Sequence, residues 1–367
     1  FNKKVDKEII LMKIITYYLP QFHEIEENNL WWGKGFTEWT NVKNGKKLFK
    51  GHSQPLKPLN NNYYNLLNKE TVEWQSKLGN EYGIYGFCYY HYWFKGRKIL
   101  EKPAENLLEW KEIKQNFCFC WANHSWKKTW NGLNEILIKQ EYGEEEDWQE
   151  HFNYLAPFFL DKRYIKIDEK PVFIIYQSED ILKFDEMIDF FNKACKKIGY
   201  SGIYIIESKN NLKNLNFFSP KSSAMVLREP NCCLSKRNIF QKVIQRLKNN
   251  FSKNYLYFVQ KYKYEEFLKK SIDISSKFLN KKIYPGIFTG WDNTSRHGKR
   301  GYVIEQNTPE LFKKYLLEQK KIMKEKNVDY IFLNAWNEWA EGMYLEPDEK
   351  FKYGYLEVIK EVMETEV

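Results

Sequence analysis

The sequence has few cysteines and lacks the motifs of several protein classes. Its six cysteines among 367 residues have neither the number nor the spacing of a disulfide framework or a zinc site, so we expect free thiols in a reducing compartment. No run of 18 apolar residues is present, which argues against a membrane span. An Asp-x-Asp metal motif and a glycine-rich nucleotide loop are also absent, so an ordinary nucleotide-sugar transferase is disfavoured.

The chain as it stands opens without a signal peptide, and we therefore expect a cytoplasmic protein. Basic residues exceed acidic ones, 58 against 48, for a net charge of +10. Such an excess suits nucleic acid, an anionic membrane surface or an acidic glycan as partner. No known nucleic-acid-binding motif accompanies the charge, so we expect no nucleic acid partner.

Aromatic residues are abundant, at 18% of the chain with 13 Trp and 26 Tyr. Tyr and Trp combine a flat stacking face with a hydrogen-bonding tip, a mixture that carbohydrate-binding proteins favour. Apolar runs of strand type alternate with amphipathic segments of helical spacing, which is typical of a parallel sheet. The runs cover residues 13–19, 86–94, 117–122, 171–176, 203–207, 224–227, 282–289 and 330–333.

Eight such runs, each followed by polar and aromatic residues, predict an α/β fold: one (β/α)8 barrel with long βα loops that spans residues 1–367 as a single domain. One segment departs from the alternation. Residues 231–264 carry eight Lys or Arg and no acidic residue. Their apolar stripe has helical spacing and consists of Ile239, Phe240, Val243, Ile244, Leu247 and Phe251. We expect a basic helical insertion that packs on the barrel; the alternative is a peripheral contact of residues 236–263 with an anionic inner membrane.

The last strand leads directly into a loop that contains two carboxylates, Glu338 and Glu341, among tryptophans. If residues 337–341 make one helical turn, both side chains project from the same side and can reach one substrate. Aromatic neighbours lower the local polarity and raise the pKa of one acid, which separates an acid from a base. Glu338 and Glu341 are therefore the candidate catalytic pair, since glycosidases act with two carboxyl groups.

Candidate substrate-binding residues follow the predicted strands or flank this pair. They are Tyr18, His23, Trp32, Glu38, Trp39, His91, Trp93, Trp121, Asn123, Trp126, Trp291, Asp292, Arg296, Trp336 and Asn337. We expect His91 and Trp93 to face the pocket, because they lie at the end of their strand and share one face by period two. No metal site is predicted.

Six strings resemble, in order, the WbsX-like family of bacterial polysaccharide-biosynthesis proteins: YYLPQFHEIEEN, WWGKGFTEWTNV, YGFCYYHYWF, CWANHSW, GIFTGWDNT and NAWNEWAEGMYLEPD. That family is similar to the endo-α-mannosidases and endomannanases of glycoside hydrolase family 99. The resemblance covers nearly the whole chain. It implies a (β/α)8 barrel that cleaves an α-mannosidic linkage with retention and without metal or other cofactor.

By motif position, the resemblance assigns Glu338 as the base that acts on the sugar's own 2-hydroxyl and Glu341 as the general acid, then base. It also places Glu38, His91, Trp93, Asn123, Trp126 and Asp292 in the pocket wall. Two alternatives stay open at this stage. WbsX-like proteins are often named glycosyltransferases of O-antigen or capsule synthesis, with a lipid-linked glycan as substrate, and a barrel of this type can also bind a glycan without turnover.

Overall fold

The computed structural model describes residues 12–128, 135–213, 215–235 and 259–366. A sheet of eight parallel strands forms its centre. The strands are β1 (Lys13–Tyr18), β2 (Ile84–Phe94), β3 (Phe117–Trp121), β4 (Lys170–Ile175), β5 (Tyr204–Lys209), β6 (Ala224–Leu227), β7 (Ile283–Tyr284, continuing as Gly286–Phe288) and β8 (Tyr330–Asn334).

Each strand pairs with the next one along the chain, and β8 returns to pair with β1, so the sheet closes. Strand β7 is interrupted at Pro285: its first part pairs with β6 and its second part with β8. Proline has no amide hydrogen to donate, but the Pro285 carbonyl accepts a hydrogen bond from the Phe332 amide at 3.0 Å, which maintains the contact with β8. The predicted (β/α)8 barrel is confirmed.

Strand sequences are apolar on both faces because one face packs in the barrel interior and the other packs against helices. Every residue of β3, β6 and β8 is buried. Burial of Cys88, Cys118 and Cys120 fits their positions in β2 and β3, and all six cysteines are free thiols.

Helices cover the outside of the barrel and also occupy the loops. They are α1 (Glu26–Trp32), α2 (Glu38–Lys43), α3 (Lys69–Glu81), α4 (Lys102–Glu109), α5 (Glu145–Leu160), α6 (Phe184–Lys197), α7 (Asn231–Ser235), α8 (Tyr264–Phe278), α9 (Thr294–His297), α10 (Pro309–Lys326) and α11 (Gly354–Glu364). Helix α10 begins at Pro309, because the Thr308 hydroxyl accepts a hydrogen bond from the Leu311 amide and proline occupies the first turn.

Short strands extend the loops at the carboxyl end of the barrel or brace its outside. They are Arg97–Ile99, Trp126–Lys128, Glu135–Ile138, Lys166–Ile167, Gln260–Lys263, Trp291–Asp292, Tyr302–Glu305, Asn337–Glu338 and Met343–Tyr344. Single turns of 3₁₀-helix lie at Leu59–Asn61, Ser178–Asp180, Gly298–Arg300 and Trp339–Glu341.

Most of the predicted basic insertion, including the whole apolar stripe, lies outside the described residues. Its last part is described and differs from the prediction: Gln260–Lys263 is a strand rather than a helix, and it pairs in parallel with Tyr302–Glu305. Within the described ranges, no helix combines the length and the apolar character that crossing a bilayer requires.

Candidate active site

A cavity of about 420 Å³ opens at the carboxyl end of the barrel strands. Residues that end or follow every strand except β5 line it. In (β/α)8 proteins the reactive groups gather at this end, because the βα loops converge there. Glu338, Glu341, Glu38 and Arg296 all line this cavity, which brings together residues as far apart as 303 positions in the chain.

The loop after β8 is held against the end of β1 by hydrogen bonds between the Asn337 side chain and the Leu19 backbone. The Asn337 side chain accepts a hydrogen bond from the Leu19 amide at 2.7 Å and donates one to the Leu19 carbonyl at 3.0 Å. Asn337–Glu338 then pairs with Met343–Tyr344, and a 3₁₀ turn at Trp339–Glu341 joins the two segments. Glu338 precedes this turn and has a non-helical backbone, so the turn is shorter than the expected one over residues 337–341. The side chains of Glu338 and Glu341 nevertheless line the same cavity and lie within 4 Å of Arg296.

Arg296, in α9, is the cation that joins the acidic groups of the cavity. Its Nη1 donates to Glu341 Oε1 at 2.5 Å, and its Nε donates to Glu38 Oε1 at 3.0 Å. Its Nη2 also contacts Glu38 and lies 3.7 Å from Glu338 Oε2. Because the planar guanidinium fork offers several fixed donors, a single arginine can hold three carboxylates in one arrangement.

Glu338 is the most perturbed acid of the cavity. Burial raises its pKa to about 8, and the nearby Glu341 carboxylate adds to the rise, while Arg296 opposes it. Only 11% of the side chain is exposed, and Oε2 is buried without a hydrogen-bond partner among the described residues. The group is therefore largely protonated at neutral pH.

Glu38 lies at the start of α2 and is buried, with 1% of its side chain exposed. Burial raises its pKa, and the Arg296 guanidinium opposes that rise. Glu341 is nearer the solvent, with 28% of its side chain exposed. The three acids thus differ in depth, and the deepest one is tied most closely to the arginine.

A tryptophan holds Glu341 from the other side. The Trp291 indole N–H donates to Glu341 Oε2 at 3.3 Å, and its ring lies flat on Tyr302, with centroids 5.3 Å apart. The adjacent Asp292 faces away into a smaller cavity of about 260 Å³. It contacts His52 and Gln54 there, at 2.8 and 2.9 Å, so it anchors the loop rather than facing the acid pair.

Of the other predicted site residues, Trp32 and Trp126 line the main cavity with the acids. Nine do not. They are Tyr18, His23, Trp39, His91, Trp93, Trp121, Asn123, Trp336 and Asn337, all of them buried.

Several of these nine residues contact the elements around the cavity rather than the cavity itself. His91 Nε2 lies 2.8 Å from His151 Nε2 on the outer, helix-facing side of β2, and burial lowers the pKa of His91 to about 3. Trp93 donates to Asp147 on the same side. Asn123 forms two hydrogen bonds with the backbone of Gln177.

The remaining members of the group pack in the interior. Tyr18 donates its hydroxyl to Gln75, Trp39 packs on Trp339, and the Trp121 indole N–H donates to the Trp93 carbonyl. Trp336 is fully buried against Phe87, and His23 is buried with its pKa lowered to about 4 by that burial.

Several cavity residues were not among the predicted ones. They are Gln21, Phe36, Asn41, Tyr90, Tyr92, His124, Tyr176, Arg228 and His297. Tyr90 and Tyr92 alternate with His91 and Trp93 along β2, so the period of two was correct. The prediction that His91 and Trp93 face the pocket was wrong, because Tyr90 and Tyr92 occupy that face. Arg228 directly follows β6, and its place at a strand end is a signal that the sequence analysis could have used.

The profile of the WbsX glycosyltransferase family matches residues 14–359. The uncharacterized protein WxcX of Xanthomonas campestris pv. campestris is 28% identical over 366 residues, in strain ATCC 33913 and in strain B100 alike. The match covers 97% of this chain and 50% of WxcX, so the chain spans about half the length of the curated relatives it matches.

Two solved structures share the fold. A glycoside hydrolase-like protein superposes with a TM-score of 0.61 at 11% identity, covering 97% of this chain and 94% of its own. The glycoside hydrolase family 99 endo-α-mannosidase of Bacteroides thetaiotaomicron superposes with a TM-score of 0.53 at 13% identity, covering 95% and 96%. At these identities the likeness concerns the barrel and not the substrate. By the profile match over nearly its whole length, the chain belongs to the WbsX glycosyltransferase family.

Proposed function

We propose that the chain is a carbohydrate-active enzyme that cleaves an α-linked, mannose-like glycan with retention and without a metal, using Glu338 and Glu341. The observation that carries the proposal is the pair of carboxyl groups of Glu338 and Glu341, which line a common cavity and contact one arginine, Arg296. The proposed groups all come from the loops of one barrel, so we propose this domain as the catalytic unit.

The lining of the cavity supports a sugar as substrate. Aromatic side chains surround the acids, among them Trp32, Trp126, Tyr90, Tyr92 and Tyr176. Trp126 packs edge-on against Tyr92, with ring centroids 5.3 Å apart, which keeps both rings in fixed orientations. Fixed aromatic faces beside hydrogen-bonding groups suit a pyranose, which has apolar C–H faces and a polar edge.

The proposed roles follow the resemblance to family 99. Glu338 takes the proton of the 2-hydroxyl while O2 attacks C1, and Glu341 gives a proton to the departing glycosidic oxygen. In the second step, water attacks C1 while Glu341 takes a proton from that water, and Glu338 returns its proton to O2. Burial that raises the pKa of Glu338 makes the ionised form a stronger base than an ordinary carboxylate, which a weakly acidic hydroxyl requires.

The pKa of Glu338 predicts an unusual pH profile. With a value of about 8, roughly a tenth of Glu338 is ionised at pH 7. On a glycosyl fluoride, whose leaving group departs without a proton from Glu341, only the ionised fraction of Glu338 limits the first step, so kcat/KM should rise about tenfold per pH unit below pH 8 and level off above it. Initial rates from pH 5 to about pH 9 test this. A rate on this substrate that does not depend on pH would contradict the assignment of Glu338 as the base.

Product analysis tests the function itself. The purified chain is incubated with α-mannans and with the surface polysaccharide of the producing organism, and the products are identified by mass spectrometry. Proton NMR during the first turnovers should detect the α-anomer of the new reducing end before mutarotation. A β-anomer would contradict retention, and binding by calorimetry without any product would point to a glycan-binding protein instead.

The family name favours a second candidate, glycosyl transfer in O-antigen or capsule assembly. The same two steps achieve transfer if a sugar hydroxyl replaces water in the second. A fluorescent oligosaccharide acceptor, or a lipid-linked one, would then be elongated faster than free sugar is released. The lipid linkage and a membrane contact of residues 236–263 stay predictions from the sequence.

A further inference from the structure

Arg228 lies at the carboxyl end of β6 and lines the same cavity as the catalytic pair. Its guanidinium donates one hydrogen bond, from Nη2 to the Tyr90 hydroxyl at 2.6 Å. Three rings surround it: its central carbon is 4.2 Å from the ring centre of Tyr176, 5.1 Å from that of Tyr17 and 5.6 Å from that of Tyr90. Aromatic faces attract a cation but do not neutralise its charge.

Arg228 differs from Arg296 in its contacts with acidic groups. Arg296 contacts three carboxylates, whereas Arg228 forms no ion pair with any acidic group of the described residues. Its Nη1 is buried and has no hydrogen-bond partner within the described part of the chain. A guanidinium carries five N–H donors, so most of the donors of Arg228 have no protein acceptor among the described residues. Keeping a cation in this condition is costly unless a ligand completes it.

A second unused group lies on the same side of the cavity. His124 follows β3, lines the cavity and has a buried Nδ1 with no partner among the described side chains and backbone. Its ring is 5.4 Å from the ring of Tyr176, so Tyr176 contacts both His124 and Arg228. Lys127 adds an exposed positive charge where the cavity meets the solvent. This part of the cavity therefore presents cationic and polar nitrogens.

We propose that Arg228, with His124, binds an oxyanion carried by the glycan, either the carboxylate of a uronic acid or a phosphate ester. The inference rests on the proposed function and deepens it, because it makes the substrate an acidic glycan. A guanidinium binds either oxyanion through two parallel N–H donors, and the donors left unused on Arg228 allow that geometry. Arg296 contacts the three carboxyl groups of the cavity, whereas Arg228 lies beyond ion-pair distance of every acidic group of the described residues and acts on Glu338 only from further away.

Titration with three small probes tests the proposal on the full chain. The probes are methyl α-D-mannopyranoside, methyl α-D-mannopyranosiduronate and methyl α-D-mannopyranoside 6-phosphate, and NMR titration gives each dissociation constant. In the wild type, one anionic probe should bind at least about tenfold more tightly than the neutral one, and added salt should reduce that preference. Preference for the uronate identifies a uronic acid, and preference for the phosphate ester identifies a phosphorylated glycan.

Arg228→Met should abolish the preference and change the affinity for the neutral probe by less than about threefold. Arg228→Lys keeps the charge without the planar fork and should retain part of it, which covers the case that the Met variant fails to fold. Arg97→Met removes an exposed arginine that does not line the cavity and should keep the full preference.

Equal affinity of the wild type for all three probes would overturn the proposal. So would the absence of saturable binding by either anion, or an equal loss of affinity for all probes in the variants. The result is separable from the proposed function, because the titration needs no turnover. Cleavage of neutral glycans by a wild type without anion preference would leave the enzyme assignment intact and remove only the acidic subsite.

Discussion

Glu341→Gln is expected to lower kcat by about 10²- to 10⁴-fold on a natural glycan, because the amide cannot give a proton to the departing oxygen. The structural basis is the position of Glu341 in the cavity, where Arg296 and Trp291 hold its two oxygens. An amide in its place keeps the shape of the side chain. The rate is measured as release of reducing sugar under saturating substrate.

The leaving group distinguishes the two glutamates. A glycosyl fluoride or dinitrophenyl glycoside departs without protonation, so Glu341→Gln should still carry out the first step on such a substrate. Glu338→Gln removes the base that activates O2 and should stay inactive on both substrate types. Glu325→Gln, at an exposed position on α10, is the matched control and should have the wild-type rate. Native rates in both Glu338→Gln and Glu341→Gln would refute the assignment.

Arg296→Met is expected to remove activity and to destabilise the fold by about 3 kcal/mol at pH 8, since it leaves buried acids without their counter-ion. Glu38 is the acid most affected, because Arg296 contacts it through two nitrogens and its side chain is 1% exposed. Without Arg296, the pKa values of Glu38 and Glu338 should rise further than burial already raises them. When the pKa of an acid is higher in the folded state than in the unfolded state, the free energy of unfolding falls as pH increases toward and through the folded-state pKa. The loss of stability in Arg296→Met relative to the wild type should therefore be largest at high pH and shrink toward pH 5.

Urea denaturation of the wild type and variant at several pH values measures this dependence. Adding Glu38→Gln to Arg296→Met removes one of the uncompensated charges and should recover part of the lost stability at pH 8, without restoring activity. Arg296→Lys keeps one positive charge but cannot contact three acids at once, so an intermediate stability is expected. A pH-independent deficit would show that Arg296 stabilises the fold by packing rather than by charge.

The sequence does not show which face of β2 points into the barrel. Alternation along β2 has a period of two, so one face of the strand must point into the barrel and the other toward the helices. Both faces of β2 are aromatic and buried, as parallel strands between helices usually are. Composition therefore could not distinguish Tyr90 and Tyr92, which line the cavity, from His91 and Trp93, which contact α5.

By itself, the sequence determined the elements that depend on local patterns: the eight apolar runs and the loop that presents Glu338 and Glu341. These follow from interactions among residues close in the chain, namely side-chain periodicity and turn formation. Only the tertiary structure decided that Glu38 reaches Arg296 across 258 positions, that β7 closes the barrel on both sides of Pro285, and that Arg228 lies without a carboxylate partner among the described residues. Those relations depend on which distant loops meet at the carboxyl end of the barrel, and no pattern confined to a short stretch of chain contains that information.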